Sequence, residues 1–421
     1  MSRKSPALPS VVLVHPTGNA NVRQAAQTLS DAGLLGGFHT TIAWRQGSFL
    51  SRLLPGSVKS ELARRSYPGL PADLVHSHPW HEILRMIALR GKLRSLTRHE
   101  TGAFSLDAIC AALDRAVARD VERSQTAPSV YAYDDCALNS FRAARKRGGY
   151  CFYELPIGYL RRWKAIRDEE IEREPLWGRT LAAGIDSEAK LTRKDAEIAA
   201  ADQVIVPSKF VADSLAGSPA RKIAIVPYGC PAPAAANLRG KRKPGPLRVL
   251  YVGSVGQRKG ISYLLRAMEL LGTQAELSLV GRCAHPSDEL VAQLNRHRWT
   301  HSLPHDKVLE AMRNQDVLVL PTLFEGRALV VLEALSQGLP VITTLNSGTE
   351  DVVRDGESGF IVPIRSAEAI AAALTRLADN PGLLAEMSTA AQRIAGGWSW
   401  KNYRERLLDV VTGCLDTHSG N

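Results

Sequence analysis

Two doubly wound α/β domains facing a central cleft are the architecture this sequence predicts, on three observations. Short continuous apolar runs, among them Val11–Val14, Leu247–Val252 and Val317–Leu320, have the character of parallel strands buried on both faces. Helical stretches closed by glycine or proline separate these runs. The alternation is interrupted by Pro231–Pro246, whose Pro, Ala, Lys and Arg content reads as a linker. The division is therefore 1–230 for a first Rossmann-like domain, 231–246 for the linker, 247–395 for a second such domain, and 396–421 for a closing helix.

Val11–Val14 opens the first domain, and His15-Pro-Thr-Gly18-Asn19 forms a glycine-bearing loop that feeds a helix ending near Ala32. Phe38–Trp44 reads as the next strand. Residues 45–125 are less regular. Leu74–Glu82 brings His76, His78 and His81 together, but no further ligand follows at a zinc-like spacing. Pro79-Trp80 reads instead as a helix entry, so no metal site is expected there. The helical pattern beyond it carries Arg85, Arg90, Lys92, Arg94 and Arg98 as a basic face. Ser129–Tyr133 reads as a strand, Ala137–Lys146 as a helix, and Tyr150–Glu154 as a strand that Pro156 stops. Charged helices continue through Glu197, and the segments from Asp202 and from Lys222 each give a strand and a turn. Past the linker, Ala367–Ala378 and Leu383–Ala395 read as helices, and Trp400–Leu415 as a final amphipathic one.

The 421 residues are 45% hydrophobic and 23% charged, as in globular proteins. No run reaches the apolar length of a membrane span, and Met1-Ser-Arg-Lys-Ser-Pro leads into the first strand with no signal-peptide core. The six cysteines form no C-x-x-C pair, a pattern that suits a reducing cytoplasm and argues against a disulfide framework or zinc site. The net charge of +11 is uneven: residues 1–250 hold 37 Lys+Arg against 23 Asp+Glu, and the remainder 16 against 19. A basic first half implies an acidic partner. An anionic membrane surface or a charged acceptor fits that requirement. Nucleic acid is the least expected, since no nucleic-acid-binding module is present.

The most informative stretch is Leu318–Thr344. A buried strand stops at Pro321, a loop carries Phe324, Glu325 and Gly326, and the helix Ala328–Gln337 is closed by Gly338 and Pro340. Glu333 lies in an apolar helix, so it must be partnered, face a cleft or bind a ligand. Glu325 and Glu333, with seven residues between them, in P-T-x-x-E-G…L-E-A-L-x-x-G-x-P-V-I, resemble the E-x7-E segment of retaining glycosyltransferases of group 1, or family 4, with the GT-B fold. The segments at Asp202–Ser208 and Lys222–Gly229 resemble those that end the first domain of that family.

The resemblance implies a metal-independent transferase with no cofactor. Such an enzyme moves a sugar from a nucleotide-diphosphate sugar to a saccharide or lipid-linked acceptor, in the cytoplasm or at the inner face of a membrane. A sugar-nucleotide epimerase of the same fold and a catalytically silent scaffold are the rival readings. Gly253-Ser254-Val-Gly-Gln-Arg258-Lys259-Gly260 matches the family's G-x-x-x-x-K-G loop, with Ser254 where many members have Arg. Lys259 and Arg258 then neutralise the leaving diphosphate. Glu325 holds the sugar, and Glu333 accepts from ribose hydroxyls. Gly326, Arg327 and Ala328 offer backbone N–H groups, Leu303 lies in the base-contacting loop, and Gly18 and Asn19 lie near the donor phosphates. Members usually end the strand facing the sugar in His. Here Glu154 ends it, as an acceptor-side group or as the partner of Arg161, Arg162 or Lys164.

Overall fold

The computed structural model describes residues 10–44, 62–63, 65–182, 185–235, 244–283 and 285–419. The basic start and linker residues 236–243 lie outside them. Strands β1 (Val11–Val14), β2 (Leu35–Thr40), β3 (Val75–Ser77), β4 (Ser129–Tyr133), β5 (Cys151–Glu154), β6 (Gln203–Val206) and β7 (Ile223–Ile225) form one sheet. A second sheet holds β8 (Leu247–Val252), β9 (Ala275–Val280), β10 (Arg298–Thr300), β11 (Val317–Leu320), β12 (Val341–Thr343) and β13 (Gly359–Ile361). The orders are β3-β2-β1-β4-β5-β6-β7 and β10-β9-β8-β11-β12-β13, and each described pairing is parallel. This is a GT-B fold of two Rossmann-like domains. In each sheet the order reverses at one point, between β1 and β4 and between β8 and β11. Loops beyond the carboxyl ends of strands at such a point form a ligand crevice.

The strands are apolar because helices cover both faces of each sheet. Val11, Leu13, Phe38 and Tyr131 face the same core as Tyr403, Leu407 and Val411 of the last helix. Val12, Val14, Ala132 and Tyr153 face the opposite side. That last helix, Trp400–Ser419, returns to the first domain. It packs on the helix Ala20–Asp31, and His418 Nε2 lies 2.8 Å from the Gly148 carbonyl oxygen.

Two strands differ from expectation. The second spans Leu35–Thr40, not Phe38–Trp44, because Leu35 aligns with Val11 while Gly36 and Gly37 hide the apolar pattern. A Cβ on Gly37 would meet the His76 ring at 3.1 Å, so the glycine lets the edge strand approach. That edge strand, Val75–Ser77, is too short to show a period.

Candidate functional site

The loops after β8 and β11 flank the reversal point of the second sheet and are stitched together. The Arg258 carbonyl accepts from the Leu323 N–H at 2.9 Å and from Thr322 Oγ1 at 3.0 Å. Gly260 closes the first loop in the left-handed region, with φ +71°, and a Cβ there would collide with the Pro321 carbonyl. The close approach of the two loops therefore needs glycine.

This stitching brings Arg258, Lys259 and Glu325 together. The Arg258 guanidinium and the Lys259 ammonium both ion-pair with Glu325 Oε1. Arg258 also donates to the Phe324 carbonyl at 2.9 Å. Their side chains are 33%, 12% and 13% exposed respectively. Burial opposes ionisation of Glu325, but Lys259 and then Arg258 outweigh it and hold the carboxyl below its usual range. Burial pulls the Lys259 ammonium down, against the attraction of Glu325 and with the repulsion of Arg258. Two cations thus share one carboxylate in a site half closed to water. An anion of higher charge can compete for them.

Glu333 lies on the helix Leu329–Ser336. Its side chain is 20% exposed, and His305 Nδ1 stands 3.8 Å away. Burial raises its pKa, partly offset by His305. This carboxylate keeps oxygen lone pairs for hydroxyl donors, as a ribose would supply. His305 opens the helix His305–Arg313, just beyond Leu303, which is half-buried against the core.

The residues after Glu325 are used structurally. A Cβ on Gly326 would collide with the Pro156 carbonyl of the first domain, and the Gly326 carbonyl accepts from Ser208 Oγ at 2.6 Å. The Arg327 side chain is fully buried on Asp351, at 2.7 and 2.9 Å, and its Nε donates to the Tyr228 carbonyl at 3.1 Å. The Ala328 N–H was expected to face a diphosphate. It is given instead to the Ser347 carbonyl at 3.0 Å, which fixes the loop rather than leaving a free donor.

Gly253 has φ +146°, and exposed Ser254 accepts on its carbonyl from Tyr251 Oη at 2.7 Å. In the first domain, Gly18 packs on the Tyr67 ring. Asn19 is the exposed N-cap residue of its helix and makes no side-chain capping bond.

Glu154 differs from expectation. It is 1% exposed. Its Oε2 accepts from Tyr131 Oη at 2.5 Å, and its Oε1 from Tyr228 Oη at 2.8 Å and Asn21 Nδ2 at 3.1 Å. Burial raises its pKa against these hydrogen bonds, that of Tyr131 foremost. Both oxygens are thus engaged by buried side chains, which gives Glu154 a structural place in the core. The basic neighbours offered as its partners are not its partners either: Arg161 pairs with Asp195 and Glu188 at 2.7 Å, and Lys164 with Asp168 at 2.8 Å.

Glu170 was not expected to matter, yet it is fully buried where the first domain meets the second. It accepts from Gln257 Nε2, Tyr263 Oη and Arg365 Nε, each at 2.7 Å. Gln257 directly precedes Arg258, so this contact sets the position of the cationic loop. Nothing local in the sequence marks Glu170, because its partners are 87, 93 and 195 residues away. A separate cavity of about 680 Å³ is lined by Arg162, Lys209 and Phe210 of the first domain and Leu345, Asn346 and Glu350 of the second. Its lining includes neither Lys259 nor either glutamate of the pair, so this volume and the convergent charges are separate features.

Comparison with known proteins bears on the second domain most. Residues 237–394 match the family described as Glycosyl transferases group 1. A D-inositol 3-phosphate glycosyltransferase of Streptomyces griseus is 35% identical over 121 residues, 29% of this chain and 26% of that protein. The chain spans well under half the length of such relatives, 42% in the case of a Mycobacterium tuberculosis glycogen synthase that is 29% identical over 178 residues. Among solved structures, a sucrose-phosphate synthase from Thermosynechococcus elongatus superposes with TM-score 0.67 at 18% identity, covering 97% of this chain and all of that one.

Proposed function

We propose that this protein, whose residues 237–394 match the family described as Glycosyl transferases group 1, transfers a sugar from a nucleotide-diphosphate sugar to a saccharide or lipid-linked acceptor. The observation that carries this reading is the pairing of Arg258 and Lys259 with the single carboxylate of Glu325 beside the reversal point of the second sheet. Without a donor, Glu325 keeps the two cations in place. When the diphosphate arrives, its charge takes over the cations, and Glu325 turns to the sugar hydroxyls. Glu333 accepts from the ribose hydroxyls. The acceptor hydroxyl attacks the anomeric carbon as the bond to the diphosphate oxygen breaks, and its proton passes to that leaving oxygen. Attack from the same face retains configuration. Arg258 and Lys259 stabilise the charge growing on the diphosphate, a preorganised electrostatic contribution that needs no metal ion.

The neighbour named as sucrose-phosphate synthase and the glycosyltransferase relative share this donor-side domain or fold, which supports the class but not the particular sugar. No helix among the described residues is long and apolar enough to cross a membrane. Contact with an anionic surface instead fits the helix Trp80–Arg90. There Trp80, Ile83, Leu84 and Ile87 are 73%, 36%, 42% and 57% exposed, and Arg90, Lys92 and Arg94 are exposed beside them. An apolar face with basic flanks suits a lipid–water interface.

A thermal-shift screen with nucleoside diphosphates and their sugars tests the reading. A ligand bound only by the native state raises stability by about 2.7 kcal/mol at a hundredfold excess over Kd. One base family should shift the melting temperature. Absence of any shift across the panel contradicts a nucleotide-sugar site, and free nucleotide released only with acceptor present separates transfer from epimerisation.

A further inference from the structure

The cluster at the outer edge of the first sheet lies apart from the Arg258–Lys259–Glu325 site, and the inference drawn from it does not rest on the transfer reaction. His39 is the penultimate residue of β2 and is 5% exposed. His78 follows β3 directly, and Asp120 lies on the helix Leu106–Arg123. His39 Nδ1 stands 3.1 Å from His78 Nε2 and 3.7 Å from Asp120 Oδ2. One ligand atom from each residue lies within 4.8 Å of the others. The His76 ring packs against that of His39 with centroids 4.6 Å apart.

These groups form a poor set for hydrogen bonding. One proton can sit between His39 Nδ1 and His78 Nε2, and then the Asp120 oxygen facing them gains no donor from either ring. Neutral imidazoles and a carboxylate converging on one point are what a cation requires. Ligands held 2.0–2.1 Å from a tetrahedral zinc ion are about 3.3 Å from one another, and the two short separations bracket that value.

We propose that His39, His78 and Asp120 bind a divalent transition-metal ion, with Zn²⁺ the natural choice for two imidazoles and one carboxylate. The ion ties the edge strand β3 to β2 and to the helix Leu106–Arg123, and water takes the fourth position. The three ligands come from elements 39 and 42 residues apart, so spacing along the chain cannot reveal them. The other cluster of this kind among the described residues, His99, Glu100 and Asp186, is already satisfied. Lys190 Nζ sits 2.9 Å from Asp186, and Ser187 donates to both Glu100 oxygens at 2.8 and 2.6 Å.

The test uses the full chain without a polyhistidine tag, stripped with a chelator and titrated with Co²⁺ and Zn²⁺. Co²⁺ reports tetrahedral coordination by its visible absorption. Wild type should bind one equivalent, show that absorption and gain thermal stability with Zn²⁺. His78→Ala changes a half-exposed residue and should fold. It should lose the absorption and the stabilisation, with an affinity loss beyond the roughly 10–100-fold of an outer-sphere change. Asp120→Asn should weaken binding, and His99→Ala should leave it intact. No stoichiometric binding by wild type overturns the proposal, as does binding unchanged in His78→Ala and Asp120→Asn, or binding lost in His99→Ala instead.

Discussion

Glu325 and Glu333 are carboxylates of one helix–loop segment in different electrostatic settings. Glu325 is held ionised by Lys259 and Arg258, whereas burial raises the pKa of Glu333 with only His305 nearby. Under the proposed function, the first goes with the diphosphate and sugar and the second with the nucleoside. Calorimetry should therefore find that Glu333→Ala weakens both the free nucleoside diphosphate and the sugar donor. Glu325→Ala should weaken the sugar donor more. Equal losses for both ligands in both variants contradict this division. Glu154 makes the opposite point. Glu154→Gln keeps size but turns one oxygen into a donor facing tyrosine hydroxyls or Asn21. Unfolding should become easier by about 1–3 kcal/mol, the cost of an unsatisfied buried polar group. Transfer per folded molecule should stay near wild type. A large fall in turnover with unchanged stability would restore Glu154 to the chemistry.

At the scale of elements, the strand β5, the turn after β4 and the helix Glu188–Ala200 are joined by a buried charge network. Glu197 accepts from Tyr153 Oη at 3.1 Å and from the Asp135 N–H at 3.0 Å, and pairs with Arg193 at 2.8 Å. Burial raises its pKa from 4.5 to about 7, opposed by Arg193. A carboxyl with a raised native pKa holds its proton after the unfolded chain has lost it. Its contribution to stability is therefore full below about pH 4.5, falls as pH rises to about 7, and is flat above. The span is roughly 3 kcal/mol at 1.36 kcal/mol per pKa unit. Buried His15 and His39, both pushed down to about 3, act in the reverse sense over much of this window. The difference between wild type and Glu197→Gln in denaturant unfolding isolates the effect: wild type should lose stability relative to the variant between pH 4.5 and 7. A difference independent of pH contradicts the shift.

The helix Trp80–Arg90 gives the second prediction at this scale. Each basic residue near an anionic membrane contributes about 1 kcal/mol, screened over a Debye length of about 10 Å at 0.1 M salt. Wild type should sediment with anionic vesicles at low salt. Reversing Arg90, Lys92 and Arg94, or replacing Trp80 and Ile87 by Ser, should leave the protein in the supernatant. If wild type stays in the supernatant, the face is only solvated.

For the whole molecule, the two parallel sheets were legible because buried parallel strands are apolar throughout, as in Leu247–Val252 and Val317–Leu320, which match the observed strands β8 and β11. The cationic loop and the two glutamates were found because their spacing is local. What the sequence could not disclose is pairing across distance: Asp351 under Arg327, the Tyr131–Tyr228–Asn21 cage around Glu154, and Glu170 beneath the Gln257-Arg258-Lys259 loop. Each turns a charged residue that looked available into part of the frame, and only the packed chain identifies the partner. The cationic site therefore depends on both domains. Gly326 fits against Pro156, and Glu170 fixes the residue preceding Arg258.

The most direct measurement is release of nucleoside diphosphate from a sugar donor, with acceptor present, by wild type and by Lys259→Ala. Under the proposed function, Lys259 acts on charge that grows only as the donor bond breaks. Removing one preorganised contact of that kind typically lowers the rate by about 10² to 10³. The variant should show that loss while its melting temperature in the absence of ligand stays close to wild type. Turnover by Lys259→Ala equal to that of wild type, with the same donor, contradicts the assignment of the Arg258–Lys259–Glu325 site.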